Sequence, residues 1–187
     1  MSCPECGLDF ETMAVDEAVT AIRGFGRRYR APLTRLLRGE DESVLRARPA
    51  PGTWSALEYA AHVRDVFEWY ARWVRLVLAE ERPALEGIDP DQEARAGAYN
   101  AQDPAVVVDE LADRAEGLAA TLEAVPDDGW LRVGTRHGEE RSVELLARRA
   151  VHEGSHHLLD IGRGLRTVRN AEPGAPGSAP PDPVPSA

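Results

Sequence analysis

Two histidines four residues apart near the C-terminal end of the chain could hold one metal ion. His152 and His156 share one face of a predicted helix, because residues i and i+4 are neighbours on a helix surface. His62 lies beside the apolar stripe of an earlier predicted helix. If the two helices are neighbours, its imidazole completes a three-histidine site, and three protein ligands with an open position are typical of a catalytic metal. Each histidine could equally be a surface or core residue without a metal.

Glu153 gives the same segment a second interpretation. Residues 152–156 read His-Glu-Gly-Ser-His, which matches the H-E-x-x-H motif of zinc metalloproteases, where the glutamate is the general base. The extended form of that motif fails, because Leu159 and Gly162 stand where a glycine and a third histidine are needed. Metal-assisted hydrolysis with Glu153 as the catalytic base therefore stays an alternative.

Four further side chains of this predicted helix could support a metal or a substrate. Asp160 could orient an imidazole as an outer-shell carboxylate, and His157 is expected in the outer shell or in solvent. Arg149 and Arg163 lie on the same helical line as the histidine pair and could hold a substrate carboxylate. All four could also be ordinary solvated residues of a helix surface.

Cys3 and Cys6 form a separate candidate metal clip near the N-terminus. Their C-x2-C spacing is half of a structural zinc site, which needs four ligands, and His137, His157 or another subunit could supply the rest. An idle reduced pair and a redox pair are the alternatives, although the βαβ context of a redox motif is absent. Two cysteines exclude a disulfide framework and favour a reducing compartment, so we expect a cytoplasmic protein.

The predicted elements that position these residues are helical. Apolar residues recur at steps of three and four in four segments, and the capping pair Ser55 and Glu58 marks one helix start. The predicted fold is an all-α four-helix bundle with helices over 15–37, 55–82, 103–125 and 142–165. Trp130 to Val133 could be a short extended piece at most. The long connection from Arg82 to Gln102 is a candidate lid or substrate-facing segment.

The composition of the chain indicates its domain boundaries and limits the classes of partner that we expect. The 187 residues divide into an N-terminal Cys-containing segment (1–12), a helical domain (13–168) and a Pro/Gly-rich tail (169–187) that is predicted to be disordered. The net charge of −10 argues against nucleic acid or an anionic membrane as a partner, and no apolar run is long enough to span a membrane. A small-molecule substrate is the expected partner, and a homodimer is the candidate oligomer.

The combination of motifs resembles the DinB-like family of four-helix metalloproteins. The matching features are Trp54-Ser55 at the start of a helix that carries His62, and the His152-x3-His156-His157 run roughly 90 residues later. The resemblance spans roughly residues 13–167 and implies a bundle of the up-down-down-up type. It also implies that His62, His152 and His156 bind a divalent metal, zinc or nickel.

The same resemblance implies a thiol-dependent reaction. The family includes S-transferases and isomerases that use mycothiol or bacillithiol, in which the metal acidifies the thiol. The chain has no lysine, which indicates a gene rich in G and C, as in actinobacteria, and makes mycothiol the natural cosubstrate. We therefore expect a metal-dependent mycothiol S-transferase acting on small electrophiles. A hydrolase and a non-enzymatic metal-binding or stress-response module are the alternatives, and the sequence after His157 departs from the family pattern, which leaves the substrate open.

Overall fold

A computed structural model describes residues 3–9 and 12–171 of the chain. Its helices are α1 (Val15–Thr34), α2 (Ser43–Arg46), α3 (Ala56–Ala79), α4 (Pro90–Ala96), α5 (Pro104–Glu123) and α6 (Val143–Asn170), with a 3-10 turn at Tyr99–Ala101. Two strands, β1 (Val133–Arg136) and β2 (Glu139–Ser142), complete the order. The predicted tail begins within the last turn of α6, and its residues 172–187 lie outside the described residues.

The four long helices form the predicted bundle. Helices α5 and α6 each pack against both α1 and α3, while α1 and α3 lie diagonally and make few contacts. Ser55 caps α3 and exchanges hydrogen bonds with Glu58, as the capping pair predicted. Asp103 and Ser142 cap α5 and α6 in the same way. The start signals therefore predicted the helix beginnings correctly, whereas α6 runs five residues beyond its predicted end at residue 165.

A close approach between α1 and α6 fixes the rotation of α6. Gly154 has no side chain, and a Cβ there would lie 2.6 Å from the Phe25 ring. The buried Tyr29 hydroxyl donates to the Gly154 carbonyl at 2.8 Å. Since a side chain at this position would push the helices apart, this glycine sets which face of α6 meets the bundle.

The segment between α3 and α5 is folded against the bundle. It contains α4 and the 3-10 turn, and Arg46 donates hydrogen bonds to the carbonyls of Asn100 and Gln102. The Ser55 hydroxyl donates to the Asn100 side chain at 2.7 Å. This connection, expected as a lid or substrate-facing segment, thus has helical structure of its own.

A hairpin follows α5, so the prediction of one short extended piece at Trp130 to Val133 was wrong. Strands β1 and β2 pair antiparallel, with Val133 opposite Ser142. His137 and Gly138 both have positive φ angles, which suits a two-residue hairpin turn. The strands are short and mostly half-buried, and they lack the apolar alternation by which strands are recognised. None of the described helices is both long and apolar enough to cross a membrane.

Candidate metal centres

One turn of α6 presents four potential metal ligands on two different faces. Each helical residue turns the chain by about 100°, so Glu153 and His157 form one i,i+4 pair and His152 and His156 form another. His157 lies three residues after buried Gly154 and four before buried Ile161, at the edge of the buried stripe. His156 lies only two residues after Gly154 and faces away from the bundle.

The predicted set of His62, His152 and His156 is therefore divided between two places. Within the described residues, His62 groups with Glu153 and His157, which we call the bundle group. His152 and His156 group with Cys3 and Cys6, which we call the knuckle group. In each group the potential ligand atoms lie within 4.8 Å of one another.

The bundle group lies where α3 meets α6. The rings of His62 and His157 are edge-to-face, with centroids 5.0 Å apart. The Nε2 atom of His157 lies 3.4 Å from a Glu153 carboxylate oxygen, and its Nδ1 atom hydrogen-bonds Asp160 at 3.0 Å. Asp160 thus contacts two imidazoles of this helix, and the closer one is His157. Its role as an outer-shell carboxylate stays a prediction.

Aromatic rings enclose the bundle group. Trp54 and Trp69 flank His62 at centroid distances of 5.1 and 6.1 Å, and Tyr59 stacks on His157 at 5.2 Å. His62 is only 5% exposed. Its Nδ1 atom is buried and has no hydrogen-bond partner among the described residues. A buried polar atom without a partner is costly, and a bound ion is one explanation for it.

The protonation of the bundle group suits a cation. Burial, followed by the nearby charge of His157, lowers the pKa of His62 to about 4. Burial alone would raise the pKa of Glu153, but His157 and the other nearby histidines hold it below its usual value. Burial alone would lower the pKa of His157, yet Asp160 and Glu153 raise it to about 9. At neutral pH the group therefore holds a neutral imidazole and a carboxylate, both able to ligate, and an imidazolium whose proton a metal would replace.

The knuckle group joins the N-terminal segment to the outer face of α6. The Cys3 sulfur lies 3.6 Å from His156 Nδ1, and the His152 and His156 rings are 5.2 Å apart. The segment closes a tight loop in which the amide of Gly7 donates to the Cys3 carbonyl at 2.8 Å. Gly7 has a φ of +69°, which favours glycine. The histidines that group with the cysteine pair among the described residues are His152 and His156, whereas the sequence suggested His137 or His157 as completing ligands.

The two cysteines differ in their ionisation. Hydrogen bonds from the backbone of Cys6, from the His152 side chain and from the backbone of Glu5 lower the pKa of Cys3 to about 6. Burial raises the pKa of Cys6, since removal from water disfavours the charged thiolate. Both are free thiols. Cys3 therefore carries thiolate character at neutral pH, which is the form that binds metals.

The two predicted arginines lie apart from each other. Arg163 pairs with Glu5 of the N-terminal segment at 3.7 Å, and both side chains are at least half exposed. Arg149 lies one helical turn before Glu153. Burial raises the pKa of the Tyr70 hydroxyl, and Arg149 is near enough for its charge to oppose that rise in part. Only Arg149 thus shares the helix face of the bundle group, and its role as a substrate-binding residue stays a prediction.

A cavity of about 470 Å³ lies beside Trp54 and is lined by none of the three residues of the bundle group. The connection between α3 and α5 forms one wall of it, from Asp91 to Ala101, and Arg48 and Glu58 contribute to another. The Trp54 indole donates to Asp91 at 3.1 Å. One indole therefore contacts both the cavity and His62.

Sequence reasoning assigned Glu153 to catalysis and His157 to the outer shell, and missed their grouping with His62. The signal was present in the apolar stripe of α6, because Ile161 lies one turn after His157. The histidine pair at 152 and 156 is instead out of phase with that stripe by about half a turn. The i,i+4 spacing and the apolar stripe together therefore indicate that Glu153 and His157 face the bundle.

Comparisons with known proteins agree with this fold. The family model described as the DinB superfamily matches residues 27–161. No curated protein sequence matches the chain.

Two solved structures share the fold at low sequence identity. YfiT from Bacillus subtilis is described as a probable metal-dependent hydrolase with an unusual four-helix bundle topology. Its structure matches with a TM-score of 0.74 and 18% identity, over 83% of this chain and 90% of that one. The mycothiol-dependent maleylpyruvate isomerase has a TM-score of 0.65 and 16% identity, over 83% of this chain and 63% of that one.

Proposed function

The chain belongs to the DinB superfamily, and from that premise we propose that it is a metal-dependent enzyme whose cation is held by His62, Glu153 and His157. The observation that carries the proposal is the bundle group itself. The buried Nδ1 atom of His62 in this group has no hydrogen-bond partner among the residues that the structure describes. The similar bundle of YfiT, described as a probable metal-dependent hydrolase, supports metal dependence.

The donor set fits a divalent cation with an open position. Two imidazoles and one carboxylate are a ligand set of catalytic zinc sites, which keep the fourth position for water or substrate. The same set suits other first-row metals, because imidazole binds zinc, nickel and iron alike. Zinc or nickel therefore remains our expectation for this group.

The surrounding residues would hold the ligands in place. Asp160 accepts a hydrogen bond from Nδ1 of His157, which leaves Nε2 directed toward Glu153. Such an outer-shell carboxylate fixes the tautomer and the ring orientation of a ligating histidine. Trp54 and Trp69 exclude water from one side of His62. A cation held there would lower the pKa of a coordinating thiol, which becomes the nucleophile at neutral pH.

We propose a low-molecular-weight thiol, mycothiol in the first instance, as the nucleophile, and a small electrophile as its acceptor. The mycothiol-dependent isomerase with the same fold supports the choice of thiol. The cavity beside Trp54 offers space for such a molecule, and Arg95 on its wall offers a cation for an anionic group. The connection between α3 and α5 would then be the substrate-facing segment.

Hydrolysis is the second candidate, because the Glu153 carboxylate lies beside His157 and the similarly folded YfiT is described as a probable metal-dependent hydrolase. The two candidates assign different roles to this residue. If Glu153 is a ligand, Glu153→Gln lowers the metal content of the bundle group. If it is a general base for water, the variant keeps the metal and loses hydrolysis alone.

The test combines metal analysis with turnover assays on the full chain. Purified wild-type protein is assayed for thiol consumption with mycothiol and a panel of electrophiles, and for ester and amide hydrolysis without thiol. His62→Ala should abolish activity and remove one metal equivalent. His137→Asn is the matched control, because His137 is exposed and asparagine tolerates its positive φ. Bound metal without turnover by either nucleophile would contradict the enzyme proposal and favour a metal-binding module.

A further inference from the structure

We propose that Cys3, Cys6, His152 and His156 form a second, closed metal centre that takes a zinc ion and fastens the N-terminal segment to α6. The inference is independent of the proposed function, because none of these four residues belongs to the bundle group. Two thiolates and two imidazoles make a donor set of structural zinc sites, which are four-coordinate and leave no position for a substrate. The four donor atoms lie within 4.8 Å of one another.

The His156 ring is arranged as a ligating imidazole would be. Its Nδ1 atom lies 3.6 Å from the Cys3 sulfur. Its other nitrogen, Nε2, lies 3.6 Å from a Glu5 oxygen and 3.7 Å from an Asp160 oxygen. A metal-binding histidine normally directs its second nitrogen at a carboxylate, which orients the ring. One nitrogen therefore faces the sulfur ligand and the other faces the orienting carboxylates.

The N-terminal loop holds the two cysteines close together. The amide of Cys3 donates to the Leu8 carbonyl at 3.0 Å, and the amide of Gly7 donates to the Cys3 carbonyl. The loop is thus closed by hydrogen bonds on both sides of the Cys-x2-Cys pair. Both cysteine side chains are partly buried although Pro4 and Glu5 between them are exposed, so the cysteines are the more enclosed side chains of the loop.

Two other residues of the described loop, Leu8 and Glu5, contact the domain. Leu8 is partly buried against the core. Arg163 donates to the Glu5 carbonyl at 3.3 Å and pairs with its carboxylate, and this ion pair is exposed on both sides. Exposed ion pairs contribute little to stability. A metal bound by four protein ligands would be a much stronger tether for the segment.

A competing ligand set shares His156. Glu5, His156 and Asp160 could also surround a cation, but Glu5 is 60% exposed. Zinc favours thiolate and imidazole ligands, whereas carboxylates without thiolates suit harder cations. The cysteine pair is therefore the set that we assign to the zinc ion, and Glu5→Gln becomes an informative control.

The experiment measures zinc content and cobalt spectra of the full chain. Cys3→Ser/Cys6→Ser and His156→Ala should each lose one zinc equivalent relative to wild type. Ser155→Ala, which changes the same helical turn, should keep it. Glu5→Gln removes an orienting carboxylate but no ligand, so it should keep the zinc equivalent at saturating zinc. With cobalt in place of zinc, wild type should show sulfur-to-cobalt charge-transfer absorption that the cysteine variant lacks and His62→Ala retains. His62→Ala should empty only the bundle group. Failure of the proposed function at that group can therefore be told apart from failure of the zinc centre at the knuckle group.

A second measurement needs no variant and so does not depend on how a variant folds. Alkylation of Cys3 and Cys6 is followed by mass spectrometry with zinc and with a chelator. If the free zinc concentration is about 100-fold above Kd, alkylation should slow by about 100-fold, since only the metal-free fraction reacts. Equal alkylation rates with and without zinc, or a wild-type cobalt spectrum without sulfur bands, would overturn the proposal.

Discussion

The bundle group and the knuckle group occupy the same turn of α6 and differ in nearly every property that decides what a metal does. The bundle group has three donors, one of them the 5% exposed His62, and is walled by Trp54, Trp69 and Tyr59. The knuckle group has four donors, two of them thiols, and lies under a short exposed loop. Three donors leave room for a reactant, and four donors do not.

One carboxylate lies between the two groups. The same oxygen of Asp160 is 3.0 Å from Nδ1 of His157 and 3.7 Å from Nε2 of His156. The shorter distance makes a hydrogen bond, and the longer one is beyond hydrogen-bond range. We therefore expect substitutions of Asp160 to weaken metal binding at the bundle group more than at the knuckle group.

The largest effect is expected from removal of a ligand of the bundle group. His62→Ala should reduce turnover by more than the roughly 10–100-fold that is typical of outer-shell changes, because it removes one of three donors. The zinc of the knuckle group should remain, so metal analysis should show a partial loss. Loss of all metal from this variant would mean that the two groups bind one shared ion.

A smaller effect is expected at Asp160. Asp160→Asn keeps the shape of the side chain but removes the charge that orients His157, so affinity at the bundle group should fall by about 10–100-fold. Metal titration of the apo-protein, with the cobalt bands of each group followed separately, measures this. Equal losses at both groups would contradict the weaker role assigned to the contact with His156.

Removal of zinc from the knuckle group should lower stability without abolishing turnover. At free zinc about 100-fold above Kd, a site in the folded state alone adds about 2.7 kcal/mol. For a domain of this size, this free energy corresponds to an increase in Tm of about 5–10 °C. Zinc should therefore raise the Tm of wild type by more than that of Cys3→Ser/Cys6→Ser, which keeps only the bundle group. Equal zinc-dependent shifts in both proteins would show that the knuckle group does not bind the stabilising ion.

The sequence predicted the bundle better than the site. Capping residues and apolar periodicity are local signals, so Ser55, Asp103 and Ser142 marked three helix starts correctly. The ligand sets depend on the rotation of α6, which is fixed by the contact of Gly154 with Phe25 across the bundle. Two overlapping i,i+4 pairs, 152 with 156 and 153 with 157, are alike in spacing. Spacing alone therefore could not show which pair meets His62.

The pairing of Cys3 and Cys6 with α6 was also beyond local reasoning. About 150 residues separate Cys3 from His152, and no periodic pattern connects a terminal loop to one helix face. The outward direction of His152 and His156 was the available clue. An outward histidine pair on the last helix and an unfinished C-x2-C clip are complementary halves of a four-ligand site.

The smallest effect separates a metal tether from a surface ion pair. Arg163→Ala removes the exposed contact with Glu5, which contributes at most about 1 kcal/mol. Zinc content and the zinc protection of Cys3 from alkylation should both stay at wild-type levels, as measured by metal analysis and mass spectrometry. If Arg163→Ala exposed the cysteines as fully as chelation does, the segment would be held by charge pairing. A closed metal centre would then not be needed to explain why the loop lies on α6. The bundle group and the knuckle group would differ only in the residues that surround them.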